Sequence, residues 1–484
     1  MKNKSAPHQQ NTADSSGLPN PQHNPPISPQ ANQPTQSNKS AIHFGLISTF
    51  LSAAVIIAGA FFAIQYAKGN YRLTQQGFAD KTGLLSANSF PTGAQVFIDG
   101  QLATATDDTL YLEPGDYTVE IIKDGYSNWK KLLKIEESLV TQTNAQLFPT
   151  TPTLIPLTFT GVKNISPSPD GQKLVFYTAS ASSQLKNGLY VLELSSSNLL
   201  PSQKSPRQLT EDDSNMDLST ARFIWSPDSN ELIVVDEAKE VLLDISRKVR
   251  LEEQPDIRLK KKQILSEWEE EMYLRERQYL AEFPEPMIEI ATSSAKNVYI
   301  SPDKKKLLYT ATSEVDLPEN LIPPVPATSN QPEQRHLLPG HIYIYDREED
   351  KNFAIGMEKG EVQTAKNLLA TDLSNEKPLD LISSPSAFQT LQASTSAQTA
   401  INFGAYHSSL FINTLQWYSD SRHVLYADDN TIRIMEYDGT NNNTVYSGPF
   451  AENFVYPWPD GSRLIILTAF SPDSPLNLYA IEIK

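Results

Sequence analysis

The sequence predicts a mainly β protein: a disordered tail and one transmembrane helix, then a small antiparallel sandwich, then a β-propeller of five blades with room for a sixth. Three observations predict it. Residues 44–64 run for 21 positions without a charged side chain. Residues 83–149 alternate apolar and polar residues in short runs cut by tight-turn pairs. From residue 150 onward, a turn centred on Pro-Asp recurs five times, each copy followed by an apolar strand.

Residues 1–41 are rich in Pro, Gln, Asn and Ser and poor in large apolar residues. Such a tail buries too little surface to offset its chain entropy, so disorder is expected. The run FGLISTFLSAAVIIAGAFFAI that follows would form a helix of about 31 Å at roughly 1.5 Å per residue, the thickness of a bilayer core. It places a membrane helix over 42–67, with the lipid bilayer as partner, and a linker over 68–82. A cleaved signal peptide is the rival reading. Against it stand the long preceding segment and the missing small-x-small pair beyond Ile64. An uncleaved signal anchor is therefore expected.

In the next module Ala94-Gln-Val96-Phe-Ile98 ends in Asp99-Gly100, a hairpin pair. Leu110-Tyr-Leu112 runs into Glu113-Pro114-Gly115-Asp116, and Tyr117-Thr-Val119-Glu-Ile121 meets Asp124-Gly125. With Leu132–Ile135 and Thr143–Leu147 this makes about five strands, a small antiparallel sandwich over 83–149. Pro91-Thr-Gly93-Ala94 through Gly100 resembles the opening of the PEGA domain. Leu112-Glu-Pro114-Gly115-Asp-Tyr117 and Gly125-Tyr126 resemble its second half. Thr92 stands where that family has Glu, at a turn position. The resemblance implies an immunoglobulin-like sandwich of envelope proteins, without catalysis.

The repeat begins at Ser168-Pro-Asp170-Gly, Ser226-Pro-Asp228-Ser, Ser301-Pro-Asp303-Lys, Tyr418-Ser-Asp420-Ser and Trp458-Pro-Asp460-Gly. Four to six residues past each Asp lie Leu174–Phe176, Leu232–Val234, Leu307–Tyr309, Val424–Tyr426 and Leu464–Ile466, all apolar or aromatic. Each copy offers a further strand, at 189–192, 241–243, 342–345, 432–435 and 478–481. Such a unit cannot bury its own face, whereas copies packed around an axis can. The Asp spacings are 58, 75, 117 and 40 residues, and only the last suits a bare blade of roughly 40–45 residues. The excess is assigned to a helical insert at 254–286, a Pro-rich loop at 316–340, and a stretch at 361–411 that is a long loop or a degenerate blade. Phe223-Ile-Trp225-Ser-Pro227-Asp228 resembles the repeat of TolB-type, WD40-like propellers over 150–484. This implies the fold and a habit of binding, with no particular partner.

In the insert, Ile257, Ile264, Leu265, Trp268, Met272, Tyr279 and Phe283 fall near one helical face, and Glu271 precedes Arg275 by four residues. The face packs on the propeller, or it docks a partner through Trp268 and Met272.

The chain has 484 residues, no Cys and a net charge of −17. Disulfides and thiolate chemistry are excluded. Residues 1–82 carry a net +4, leaving −21 on the remainder, which makes nucleic acid an unfavourable partner. There is no Gly-x-Ser-x-Gly elbow, no His-Glu-x-x-His and no phosphate-binding Gly loop. His336 and His341 read as surface residues. Asp213-Ser-Asn215-Met-Asp217 starts like a calcium loop but has Leu218 for the needed Gly and Ile224 for the needed Glu. Asp170, Asp228, Asp303, Asp420 and Asp460 read as turn residues whose carboxylates accept backbone N–H bonds, since a catalytic group is needed only once. No catalytic residue, metal or cofactor is assigned.

The expected function is a membrane-anchored scaffold of the cell envelope that binds a protein or a glycan. Lys2, Lys4 and Lys39 before the span are nearly balanced by Lys68 and Arg72 after it, so the orientation, N-terminus cytoplasmic and domains outside, rests on the resemblance to exported modules. The alternative is an envelope hydrolase of glycosidase type with two carboxylates in the propeller funnel. A transmembrane sensor is a third reading.

Overall fold

The computed structural model describes residues 41–67, 72–74, 77–79, 82–194, 205–212, 215–326, 329–357, 415–428, 430–451, 454–471 and 474–484. The chain divides into two compact units, Met1–Ile64 and Gln65–Lys484. The tail expected to be disordered and the stretch 361–411 lie outside the described residues, Ala41 apart.

Helix α1 (Ala41–Ala67) accounts for the uncharged run. Its side chains are described over 49–64 and all are exposed. Among the described residues no helix is long and apolar enough to cross a membrane; that stretch is shorter than the about 17–25 residues a span needs. Within the expected linker, Arg72–Thr74 pairs antiparallel with Gly77–Ala79.

The sandwich has more strands than the five expected, and part of it is parallel. One sheet orders Gln101–Ala105, Gln95–Ile98, Gly115–Ile122 and Trp129–Ile135. The other orders Val140–Gln142, Gly83–Ala87 and Asp108–Leu112, with Ser89–Phe90 beside Ala145–Gln146. Val140–Gln142 and Ala145–Gln146 run parallel to their partners, because the end of the module returns beside its start. The single strand expected over 143–147 is split by Asn144, whose φ is +45°; Asn tolerates that left-handed region. Asp99 and Gly100 both have positive φ, as a two-residue hairpin turn of the primed type requires. Leu85, Val96, Val119, Ile121 and Trp129 form the core between the sheets.

Five sheets make the propeller among the described residues. Blade I holds Lys163–Pro167, Lys173–Thr178, Gly188–Glu193 and Arg207–Glu211. Blade II holds three strands, Arg222–Trp225, Glu231–Val235 and Glu240–Asp244. Blade III holds Ala295–Ile300, Lys306–Ala311, His341–Asp346 and Lys351–Met357, and blade IV Leu415–Trp417, His423–Asp428, Thr431–Glu436 and Asn443–Ser447. Blade V takes Val455–Pro457, Arg463–Thr468 and Asn477–Glu482 from the C-terminal end, and its outer strand Leu154–Pro156 from the start of the module. That pairing, Leu154 opposite Ile481, closes the ring.

The recurring turn joins the first strand of each blade to the second. Apolar clusters then join blade I to II, III to IV, IV to V and V to I. Blades II and III share none. Between them stand helices α2 (Arg258–Leu280) and α3 (Glu285–Ser293). The insert thus reaches beyond residue 286. Pro284 ends the first helical run, since the residue before proline is driven out of the α region, and Met287, Ile290 and Ala291 give the next helix its own apolar face. Helix α2 packs on blade II through Ile257, Trp268 and Met272 against Ile224 and Ile233. Helix α3 packs on blade III through Met287, Ile290 and Ala291. Within the loop expected at 316–340, Val315–Asp316 pairs with His336–Leu337.

Candidate functional site

Each of the five repeat Asp residues closes its own turn. Oδ1 accepts the N–H two residues on: Gln172 to Asp170 at 2.9 Å, Asn230 to Asp228 at 3.1 Å, Lys305 to Asp303 at 3.1 Å, Arg422 to Asp420 at 2.8 Å and Ser462 to Asp460 at 2.8 Å. The preceding Ser donates its hydroxyl to Asp170, Asp228 and Asp303 at 2.5–2.6 Å. Burial pushes the Asp228 carboxyl up, but the Ser226 hydroxyl and the Asn230 N–H outweigh it and hold the group below its ordinary value. The turns also meet one another. The Asp170 N–H donates to Ser229 Oγ at 3.1 Å, the Asp303 N–H to Ser421 Oγ at 2.9 Å, and the Tyr418 hydroxyl to the Gly461 carbonyl. Between blades II and III the contact runs through α2: Arg275 donates to the Pro227 carbonyl at 2.9 Å, and the Lys304 ammonium lies 4.4 Å from the Tyr279 ring centre.

Trp268 and Met272, the candidate docking anchors, face inward and are 8% and 5% exposed. They fasten α2 to blade II and offer no surface to a partner; helical period identifies an apolar face but not what covers it. His336 is exposed and bonds Asp316 at 2.7 Å, and His341 lies at the start of the next blade III strand. Among the described residues no group of His, Asp and Glu is arranged to hold a metal ion. Asp213 lies outside the described residues. Asp217 spends both carboxylate oxygens on its own loop, accepting from Ser219 and Thr220.

The first strands of the blades converge on the axis, as their contacts with each other show. Asn164 Nδ2 donates to the Ala221 carbonyl at 2.7 Å and Trp225 Nε1 to Ser166 Oγ at 3.0 Å. Trp417 Nε1 reaches the Tyr299 carbonyl at 3.1 Å, and Gln416 Nε2 the Val455 carbonyl at 2.7 Å. Along all five axial strands there is no Asp or Glu; their polar side chains include Lys163, Asn164, Arg222, Lys296, Asn297 and Gln416. Lys163 and Arg222 open the first strands of adjacent blades and are exposed. The bond between their neighbours Asn164 and Ala221 brings these two strand starts together at the end of the ring opposite the Pro-Asp turns, where the Lys163 charge also helps to hold the Asp217 carboxyl low. The nearby acids sit on the loop between these blades. Burial raises the Asp212 carboxyl against the opposing Tyr177 hydrogen bond, and Tyr177 is itself pushed up to about 12 by burial and by Asp212. Asp217, held low mainly by the Ser219 hydroxyl, has no free oxygen for chemistry.

The sandwich is fixed to the turn-bearing face by a junction that has no local sequence signal. Lys131 pairs with Glu436 at 2.6 Å and Asp438 at 2.5 Å, and all three side chains are nearly excluded from solvent. Trp129 Nε1 donates to Glu436 at 2.5 Å, and Asn441 Nδ2 donates to the same carboxylate at 2.7 Å. Burial works against the Lys131 ammonium, but the two carboxylates raise its pKa above the ordinary value. Phe148 packs edge-on against His423, whose imidazole bonds Asp420 at 2.7 Å. Burial lowers the His423 pKa, and the Asp420 charge reverses that to a net rise. Beside the junction a cleft of about 370 Å³ opens between the sandwich and blade III.

Residues 82–151 match the family model of the PEGA domain. No curated protein matches the chain. Solved structures similar to it include a TolB candidate from Agrobacterium tumefaciens, 13% identical over 66% of this chain and 79% of that one with a TM-score of 0.20. TolB from Acinetobacter baumannii is 9% identical over 76% of this chain and 59% of that one, TM-score 0.20. Hydrazine synthase of Kuenenia stuttgartiensis is 12% identical over 84% and 96%, TM-score 0.18.

Proposed function

We propose that this protein is a membrane-tethered binding scaffold of the cell envelope whose propeller receives an anionic partner at the channel mouth beside Lys163 and Arg222. One observation carries the reading. In a chain of net charge −17, the five axial strands hold cations and amides and no carboxylate among the described residues. Cations gathered at one end of the ring attract anions and steer their approach. The partner is a protein segment or a glycan bearing carboxylates or phosphates. The buried junction makes sandwich and propeller one rigid head, so the sandwich orients the propeller and does not merely space it. The tether is supported by the 21 uncharged residues of 44–64 and their helical form.

The glycosidase alternative needs two carboxylates facing one another across the site. The axial strands offer none, and Asp217 is committed to its loop.

The test uses the full-length chain in detergent on a polyuronate matrix and on neutral dextran. Selective retention on the polyanion, with Lys163→Glu/Arg222→Glu eluting at clearly lower salt, is the expected result. Equal retention of both proteins would sink the channel-mouth reading. Protease added to intact cells should cut the 82–484 region from outside; protection until the membrane is opened would overturn the orientation.

A further inference from the structure

We propose that the cleft between the sandwich and blade III is a second binding site, one that takes an extended acidic peptide by adding it as a strand to the open edge of the sandwich sheet. The edge is Trp129–Ile135, last in its sheet. It pairs antiparallel with Gly115–Ile122, Thr118 opposite Leu132 and Asp116 opposite Lys134. In such a pair, alternate residues turn their N–H and C=O away from the neighbouring strand. Three bonds identify which do so here. The Lys130 N–H donates to Asn441 Oδ1 at 2.8 Å, the Leu132 carbonyl accepts Gln331 Nε2 at 3.0 Å, and the Lys134 carbonyl accepts the Thr141 hydroxyl at 3.2 Å. The even-numbered residues therefore face outward. The N–H groups of Leu132 and Lys134 have no acceptor among the described residues.

Two side chains of the propeller already imitate a paired strand. The Asn441 amide oxygen stands where a peptide carbonyl would meet Lys130, and the Gln331 amide where a peptide N–H would meet Leu132. What the edge leaves unfilled are the Leu132 and Lys134 N–H groups, since Thr141 also takes the Lys134 carbonyl, and the cleft is lined by both residues. Strand addition draws its affinity from main-chain bonds and its selectivity from flanking side chains. Those here are the ammonium groups of Lys134 and Lys351, the amide of Asn330 and the exposed apolar side chain of Leu132. Asp116 is the acid in the lining. Lys134 and Lys351 now pair with Glu136 at 2.9 Å and Glu333 at 3.2 Å. The Lys134 pair is exposed and the Lys351 pair half-buried; exposed pairs are weak, so an incoming carboxylate exchanges most readily at Lys134. The lining itself carries two ammonium groups against the one Asp116 carboxylate, which favours an acidic peptide over a basic one. A volume of about 370 Å³ lies at the small end for ligand sites and suits a few extended residues.

The experiment titrates full-length protein in detergent with a labelled Glu-Val-Glu-Val-Glu-Val peptide, its Lys-Val counterpart and a version with a central Pro. The acidic peptide should bind at least tenfold tighter than the basic one, and the Pro version should lose binding, because it cannot supply every ladder bond. Amide exchange at Leu132 and Lys134 should slow on binding. Lys134→Glu/Lys351→Glu should abolish the slowing of the Leu132 and residue-134 amides by the acidic peptide, while Lys163→Glu/Arg222→Glu should leave that slowing unchanged even where it lowers the total peptide bound. That last arm separates this site from the channel mouth. No binding, binding indifferent to charge or to Pro, or unchanged exchange at the two amides would overturn the proposal. So would retention of a neutral polysaccharide that the cleft variant alone abolishes.

Discussion

Replacing Lys131 with methionine keeps the length of the side chain and removes its charge. The two carboxylates it serves, both on blade IV, would then lie side by side at the junction with no cation to separate them. Glu436 would keep the Trp129 indole and the Asn441 amide. Asp438 would keep Thr440, which bonds Oδ1 through its N–H and hydroxyl, while Oδ2 would lose its ammonium partner. Removing one member of a buried ion pair costs about 3–5 kcal/mol, because the charge left behind remains desolvated. Denaturation of the full-length chain in detergent, followed by tryptophan fluorescence, should show that loss. Adding Asp438→Asn should recover part of it, since the residue that repels Glu436 is then neutral. The pH dependence follows from the raised Lys131 pKa. A group whose pKa is raised on folding stabilises below its unfolded value, and the stabilisation fades as pH rises through its folded value. The natural protein should therefore have an alkaline limb above the ordinary lysine range of about 10.4 that Lys131→Met lacks. A loss under about 1 kcal/mol, the worth of an exposed pair, would refute the reasoning: water would then reach the junction and the two domains would be loosely joined.

Two further outcomes follow from the same geometry. Asp420 raises the pKa of His423 and is itself held low by it despite its own burial. The pair thus stabilises from below neutrality down to the depressed Asp420 pKa, and its His contribution is lost as pH rises through the elevated imidazole value; the imidazole proton resonances should titrate above about 6.5, and a midpoint at or below that value would contradict the pairing. Trp268→Ala should destabilise the propeller by about 3–5 kcal/mol as a core truncation, whereas an effect under about 1 kcal/mol would return Trp268 to the surface role that its burial denies.

The recurring turn was legible because its chemistry is local. A Ser or aromatic, a Pro or Ser, then Asp places a carboxylate next to the N–H two residues later, and all five copies fold that way. The strands after each turn were legible as apolar triplets. The axial strands were not read: Leu415–Trp417 and Val455–Pro457 are too short to show a period. Ring closure was also out of reach, since Leu154 meets Ile481 only through tertiary pairing. The candidate site fared worse for the same reason. Lys163 and Arg222 belong to different blades, and no motif links them. Lys131 sits in an alternating strand where a lysine reads as a solvent-facing residue; it is buried by Asp438, 307 residues away. Helical spacing exposed the apolar face of α2 without indicating that blade II would cover it.

The seam between blades II and III is the place where this ring should open first. Every other neighbouring pair of blades shares one continuous apolar cluster, so strands on both sides lose burial together if they part. Here α2 packs on blade II through Trp268 and Met272 and reaches the blade III cluster only with its last residue, Leu280, beside α3, so no one cluster takes in both blades. Helix α2 spends three buried side chains over 23 residues, Trp268, Met272 and Leu280, and exposes Leu259 and Leu274. Helix α3 buries three in nine, with Met287 and Ala291 fully enclosed. Local opening costs least where buried apolar contact per residue is lowest. Amide hydrogen exchange on the full-length chain should therefore find α2 exchanging faster than α3 and faster than the central strands of blade I. If α2 proves as slow as Lys173–Thr178, the polar contacts of Arg275 with Pro227 and of Lys304 with Tyr279 must hold the seam as firmly as the shared cores hold the rest. The insert would then act as a full structural replacement for a blade.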